Sequence, residues 1–132
     1  MIKKTIVLIA FSITLFNYSF AQKTEIERSI HAFEQCMIKK DFELLKPHLS
    51  KTYRIGGFFG FYAHQIVPQI LGGYPKLTSL KTVSKDKRSA ILDLNFEKSK
   101  SKKTNLAFDK DGKITYIQLF SDLINNSEIH KN

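Results

Sequence analysis

The second half of the chain alternates between hydrophobic and polar residues with a period of two, which predicts β-strands. One strand is expected over residues 77–84 and another over residues 89–98. In the second of these strands, every other residue is apolar, namely Ala90, Leu92, Leu94 and Phe96. Asp93 has the opposite parity, so this strand is predicted to bury its leucines and to turn Asp93 towards solvent.

A closing hairpin is predicted over residues 103–120, KTNLAFDKDGKITYIQLF. Both arms alternate in polarity, and Asp-Lys-Asp-Gly at residues 109–112 forms the turn between them. Gly112 can adopt the positive φ that closes a short hairpin loop, and aspartate side chains accept hydrogen bonds from nearby amides. The rest of the domain is expected to cover and extend this hairpin.

The first half of the chain shows the period of an amphipathic helix. A helix is predicted over residues 24–40, begun by a capping box in which Thr24 is the N-cap and Glu27 lies three residues later. Its apolar stripe comprises Ile26, Ile30, Phe33 and Met37. The stripe predicts that this helix packs against the sheet.

Two further helices are expected before the strands begin. Asp41 can cap a short helix over residues 42–46. Residues 63–71 predict a third helix, although Pro68 requires either a start near His64 or a kink.

The N-terminus has the three-part pattern of a secretory signal peptide, residues 1–21. Lys3 and Lys4 precede an apolar run over residues 5–16, and a small-residue site precedes cleavage near Ala21. The alternative is an uncleaved anchor, but the run is shorter than the roughly 20 residues that span a bilayer. The protein is therefore expected to be periplasmic or secreted, with no membrane span after removal of the signal.

Cleavage leaves one small domain, residues 22–120, followed by a polar tail, residues 121–132. The full chain is basic, with a formal net charge of +9 at pH 7. Basic residues flank two predicted turns, at 85–88 and 98–103, which fits either a polyanion surface or solubility and edge protection. The two clusters lack the interleaved aromatic residues that stack on bases, so nucleic acid is not an expected partner.

Neither a metal site nor a cofactor is predicted. The histidines, His31, His48, His64 and His130, are scattered and have no Cys or acidic partner at ligand spacing. His31 and His48 are expected at the surface, whereas His64 is the histidine best placed for a cavity. Cys36, the single cysteine, cannot form an internal disulfide and is expected to be a small buried hydrophobic residue.

The predicted order of helices followed by strands indicates an α+β fold, with N-terminal helices packed on a curved antiparallel sheet. It resembles the NTF2-like superfamily, the cystatin-like cone fold shared by SnoaL-like proteins and ketosteroid isomerases. The resemblance rests on KKDFELLKPHLSKTY at residues 39–53, on the helix at 64–71 and on LAFDKDGKITYIQLF at residues 106–120.

The resemblance implies a cavity between the concave face of the sheet and the helices. We expect an exported, non-catalytic domain that binds an apolar or amphipathic small molecule there, because the candidate lining is rich in aromatic residues and poor in charge. The candidate ligand-binding residues are Tyr53, Phe59, Phe61, His64, Leu92, Leu94, Tyr116 and Phe120. No catalytic residue is assigned.

Two alternatives remain open at this point. One is an enzyme similar to ketosteroid isomerase, with Asp93 or His64 as general base and Tyr53 or Tyr116 as hydrogen-bond donor. The other is an interaction module that forms a homodimer. The aromatic segment 56–62, GGFFGFY, is expected to close the wide end of the cone, either as a core plug, as a lid less ordered than the sheet, or as an interface.

Overall fold

The structure, a computed structural model, describes residues 2–118, with side chains from Phe20 onward. Helix α1 spans Ile2–Lys39 and is followed by two short 3₁₀ stretches, Phe42–Leu44 and Lys46–His48. The elements after them are β1 (Leu49–Ile55), β2 (Phe58–Phe59), α2 (Gly60–Gly72), β3 (Leu77–Lys85), β4 (Ser89–Phe96), β5 (Lys102–Phe108) and β6 (Ile114–Ile117). The predicted tail and Phe120 lie outside the described residues.

The six strands form one sheet in the order β2-β1-β6-β5-β4-β3. The α+β prediction is confirmed, because helices pack on the six-stranded sheet. The predicted sheet was wholly antiparallel, which is wrong, because β1 and β6 run parallel. Strand polarity depends on which strands become neighbours, and β1 meets β6 only after the chain has passed through α2 and four other strands.

The core lies between α1 and one face of the sheet. Leu92, Leu94, Leu106 and Ile117 are fully buried, and Phe33 and Met37 of α1 lie in the same hydrophobic cluster. The predicted parity of β4 is therefore confirmed. Cys36 is also buried as predicted, and burial, with a smaller contribution from Asp41, raises the pKa of its thiol to about 12.

Helix α1 does not begin at Thr24, so the predicted capping box is wrong for this chain. The helix continues through this position, and Thr24 Oγ1 donates to the carbonyl of Phe20 at 2.9 Å. Because the preceding turn supplies carbonyl partners to the amides of residues 24–27, no N-cap is needed there. Glu25 and Glu27 instead pair with cations from other elements.

The predictions of a cap at Asp41, of a helix containing Pro68 and of a turn at Gly112 are confirmed, with shifted helix boundaries. Asp41 accepts a hydrogen bond from the amide of Glu43 at 3.0 Å, although the capped segment is 3₁₀ rather than α-helical. Helix α2 begins three residues before the predicted start and contains Pro68 in its interior. The closing turn has Gly112 at φ 84°, and Asp109 Oδ1 accepts from the amides of residues 111 and 113.

Candidate functional site

A pocket of about 430 Å³ opens between helix α1 and the turn that joins β3 to β4. Its lining residues are Phe20, Gln22, Lys23, Ile26, Lys85, Asp86 and Lys87. The helix contributes the apolar side chains of Phe20 and Ile26, and the turn contributes two lysines. Small-molecule sites typically combine apolar walls with a few polar groups, in volumes of roughly 300–1,000 Å³.

Asp86 holds the turn that forms one wall of this pocket. Its Oδ1 accepts hydrogen bonds from the amides of Arg88 at 2.7 Å and Ser89 at 2.9 Å. These two backbone hydrogen bonds keep the pKa of Asp86 below its ordinary value. The carboxylate is therefore held by its own turn, and the positive charge of Lys87 makes a smaller contribution to its lowered pKa.

Two contacts tie the helix to the turns beside it. Gln22 Nε2 donates to the carbonyls of Lys87 and Asp109, each at 3.3 Å. Lys85 Nζ lies 3.3 Å from Glu27 Oε1, which adds an ion pair between the helix and the end of β3. The two walls of the pocket are thus linked directly.

The pocket rim is cationic. Lys85 is paired with Glu27, whereas Lys23 and Lys87 form no ion pair within the part of the chain that the structure describes. An apolar wall beside unneutralised ammonium groups suits an amphipathic anion. The sequence indicated a basic turn at residues 85–88, but it carried no signal that α1 would lie against that turn.

A second polar cluster joins α1 to the regions where β1 and β6 begin. Glu25 Oε1 lies 2.9 Å from His48 Nδ1 and accepts a hydrogen bond from Lys113 Nζ at 3.1 Å. Lys113 Nζ also donates to the carbonyl of Pro47 at 3.1 Å. The prediction that His48 is solvated is wrong, since its side chain is only 23% exposed. The three side chains are far apart in sequence, so no local spacing could have indicated the cluster.

Replacing Glu25 with glutamine is expected to remove an acid-sensitive contribution to stability. Burial opposes ionisation of Glu25, but hydrogen bonds from His48 and Lys113 outweigh it and lower the pKa of this carboxyl. A lowered folded-state pKa gives stability that is present above the unfolded-state pKa and lost as the pH falls through the folded-state pKa. We expect Glu25→Gln to cost about 1 kcal/mol at neutral pH and progressively less in acid.

Urea unfolding at a series of pH values measures this effect. Glu97→Gln is the matched control, because Glu97 is exposed and forms no ion pair with another described residue. The control should change stability little at any pH. If Glu25→Gln lowers the free energy of unfolding by the same amount at neutral and at acid pH, the charge of the carboxylate does not stabilise the fold.

The predicted ligand residues lie on both faces of the sheet. Leu92 and Leu94 are buried on the face that packs against the helices. Phe59 and Tyr116 lie on the opposite face as cross-strand neighbours of Arg54, whose Cζ is 5.7 Å and 5.4 Å from their ring centroids. One small ligand could contact either pair but not both at once, and the ligand-binding role of these residues stays a prediction.

Three further predicted residues lie near the start of α2. Tyr53 donates its hydroxyl to the carbonyl of Gly60 at 2.9 Å, and burial raises the pKa of this tyrosine. Phe61 is exposed, and His64 Nε2 lies 3.4 Å from Lys46 Nζ. The structure therefore joins Tyr53 to the helix start and packs it against the hydrophobic core that contains the buried leucines.

The two candidate general bases have different surroundings. Asp93 is partly exposed on the sheet face opposite Leu92 and Leu94, as its parity predicted, and His64 is exposed on α2. A general base must approach a substrate proton to about 3 Å, and the described contacts indicate no enclosed position for that substrate. Across the residues described, no group of three or more His, Cys, Asp or Glu side chains could hold a metal ion.

No protein-family profile matches the sequence, and no curated protein matches it. The structure is similar to the crystal structure of a protein from Xanthomonas campestris pv. campestris that carries the provisional name polyketide cyclase. The two chains are 12% identical, with a TM-score of 0.49 over 73% of this chain and 89% of the other. At this identity the likeness concerns the backbone alone and gives no residue a role.

Proposed function

We propose that this chain is an exported, non-catalytic member of the NTF2-like cone proteins that binds an amphipathic small molecule carrying an anionic group. The observation that carries the proposal is the pocket between α1 and the β3–β4 turn, where an apolar wall meets Lys23 and Lys87. Neither described helix has the length and hydropathy of a membrane span.

The pocket offers each half of such a ligand a separate environment. The apolar half would lie against Ile26, where each Å² removed from water contributes roughly 25 cal/mol. The anionic group would lie between Lys23 and Lys87, whose ammonium groups donate charge-assisted hydrogen bonds. The carboxylate of Asp86 accepts from two amides of its own turn and forms no ion pair with Lys23 or Lys87 among the described residues.

Export is proposed from the signal-peptide pattern of residues 1–21. Cleavage after Ala21 would remove Phe20 and leave the remaining pocket residues in place. The processed protein would then have a wider pocket mouth with the same cationic rim. A periplasmic or secreted location follows from this processing.

Reversing the two lysine charges tests the proposal. In the double variant Lys23→Glu/Lys87→Glu, the affinity for anilinonaphthalene sulfonate, an apolar ring system with one anionic group, is expected to fall about tenfold, because two attractive charges become repulsive. Fluorescence titration measures the affinity. The matched control is Lys76→Glu/Lys100→Glu, which changes the net charge equally at exposed positions outside the pocket lining and should bind as the wild type does.

A neutral apolar dye, Nile red, separates the two halves of the site. Its affinity should be unchanged in Lys23→Glu/Lys87→Glu, since it makes no use of the cations. The proposal fails if the wild type binds neither probe, or if both charge-reversed proteins lose affinity for the anionic probe equally.

A further inference from the structure

Three aromatic rings project into solvent where β2 ends and α2 begins. Phe59, Phe61 and Tyr62, here termed the aromatic corner, are 65%, 72% and 59% exposed. The rings of Phe61 and Tyr62 meet edge to face, with centroids 5.7 Å apart. The core-plug interpretation is therefore wrong for these three rings, and of the four aromatic residues only Phe58 packs against the core.

The aromatic corner is built on regular secondary structure in place of the loop predicted there. Strand β2 pairs with β1, and α2 begins at Gly60 directly after it. The Tyr53 hydroxyl bonds the Gly60 carbonyl, and a Cβ added at Gly60 would lie only 2.9 Å from the Tyr53 ring. Only glycine lets the helix begin this close to that ring, so the fold holds the aromatic corner outward.

Clustered exposed rings are unusual on a soluble protein. Single exposed apolar residues such as Val83 and Ile91 need no explanation, whereas contiguous apolar patches usually mark a contact surface. Arg54 lies beside the aromatic corner, with its guanidinium 5.7 Å from the centroid of Phe59. The surface therefore combines aromatic rings with a cation.

Charge distribution indicates the chemistry of the partner. Residues 44–85, which span β1, β2, α2 and β3, contain no Asp or Glu. The cations of this stretch nearest to the aromatic corner are Lys51 and Arg54 of β1, the strand that pairs with β2, whereas Lys81 and Lys85 lie on β3 at the far edge of the sheet. A second copy of this chain would present the same positive surface and be repelled, so the complementary partner is anionic.

We propose that the aromatic corner docks onto the surface of an anionic lipid bilayer. Aromatic side chains favour the level of the lipid headgroups, where the ring is partly buried and polar atoms stay hydrated. Arg54 and Lys51, which lie on the strand beside the aromatic corner, would attract anionic headgroups within a Debye length. This docking uses residues outside the small-molecule pocket, so it can hold whether or not that pocket binds a ligand.

A single tryptophan can report the docking, because the chain contains none. The full chain is expressed from its own start, and the protein that the cell yields is used for every variant, so that the N-terminus is common to all. In Phe61→Trp, vesicles of phosphatidylglycerol and phosphatidylcholine should shift the emission to shorter wavelength. Vesicles of phosphatidylcholine alone should shift it less. The matched control, Ile91→Trp on the opposite half of the sheet, should keep its emission.

Co-sedimentation with the same anionic vesicles tests the contribution of the rings. Phe59→Ser/Phe61→Ser is expected to bind at least about tenfold more weakly, since it removes the two most exposed rings. Val83→Ser/Ile91→Ser, which removes two exposed apolar side chains elsewhere, should bind as the wild type does. Both variants should remain folded, with Phe59→Ser/Phe61→Ser close to the wild-type melting temperature and Val83→Ser/Ile91→Ser somewhat below it, because Ile91 is only partly exposed.

Several outcomes would overturn the proposal. One is an emission of Phe61→Trp that does not respond to anionic vesicles, and another is an equal loss of vesicle binding in both serine double variants. Sedimentation velocity could instead show a wild-type dimer that Phe59→Ser/Phe61→Ser dissociates, which would make the aromatic corner an interface between copies. Equal emission shifts with polyglutamate and with vesicles would indicate an acidic protein as the partner.

Discussion

Replacing Gly112 with alanine is expected to lower the free energy of unfolding by about 3 kcal/mol. Gly112 has φ 84°, a left-handed conformation that strains any residue with a Cβ atom. An added Cβ would also lie 2.8 Å from Glu25 Cβ and 2.9 Å from the carbonyl oxygen of Gln22. The second contact is with helix backbone, which cannot rotate away.

The substitution should also loosen the contact between α1 and the closing hairpin. Ser29 Oγ donates to the Gly112 carbonyl at 3.0 Å in a buried position, so a displaced turn would leave polar atoms unpaired. Chemical unfolding followed by circular dichroism measures the loss. Gly72→Ala is the matched control, because a Cβ there meets nothing within 4 Å, and its stability should stay equal or rise. If Gly112→Ala and Gly72→Ala have the same free energy of unfolding, the turn is not packed against the helix.

Truncating Leu94 to alanine is expected to cost about 3 kcal/mol of folding stability. Leu94 is fully buried on the helix-facing side of β4, so truncation leaves a cavity that the surrounding core closes only in part. Its cross-strand neighbours on β3 and β5 are Leu80 and Lys102, and neither can fill the space of a lost isobutyl group without moving backbone. The melting temperature, measured by thermal unfolding, should fall accordingly.

This experiment also tests the predicted ligand role of Leu94. Ile91→Ala is the control on the same strand, since Ile91 is 36% exposed on the other face and its loss should cost well under half as much. A structural role predicts that Leu94→Ala lowers stability while the remaining folded protein binds the anionic probe normally. A small stability change together with lost binding would place Leu94 in a ligand site instead of the core.

Local chemistry explains the features that the sequence predicted correctly. The alternation of residues 89–98 indicated which side of β4 is buried, because successive side chains of a strand point to opposite faces whatever the fold. Asp41 bonds an amide two residues ahead, and Gly112 adopts a positive φ within one turn. Each of these interactions joins residues within a few positions, so the local sequence carries the information.

Features that depend on distant neighbours could not be predicted in the same way. The parallel pairing of β1 with β6 and the cluster of Glu25, His48 and Lys113 each join residues more than twenty positions apart. The pocket likewise requires α1 to lie against the turn at residues 85–87. The alternation of polar and apolar residues indicates that one face of an element is buried, but it does not indicate which other element covers that face.

The segment at residues 56–62 separates the features that the sequence determines from those that only the tertiary structure decides. The sequence by itself determined an unusual concentration of glycine and aromatic residues, a basic chain and a fold of helices followed by strands. Only the tertiary structure decided that Phe58 packs against the core while Phe59, Phe61 and Tyr62 project outward. Burial depends on whether another element covers a side chain. At this corner, β2 has β1 on one side and no other described strand on its far side, and the first turn of α2 carries Phe61 and Tyr62 into solvent.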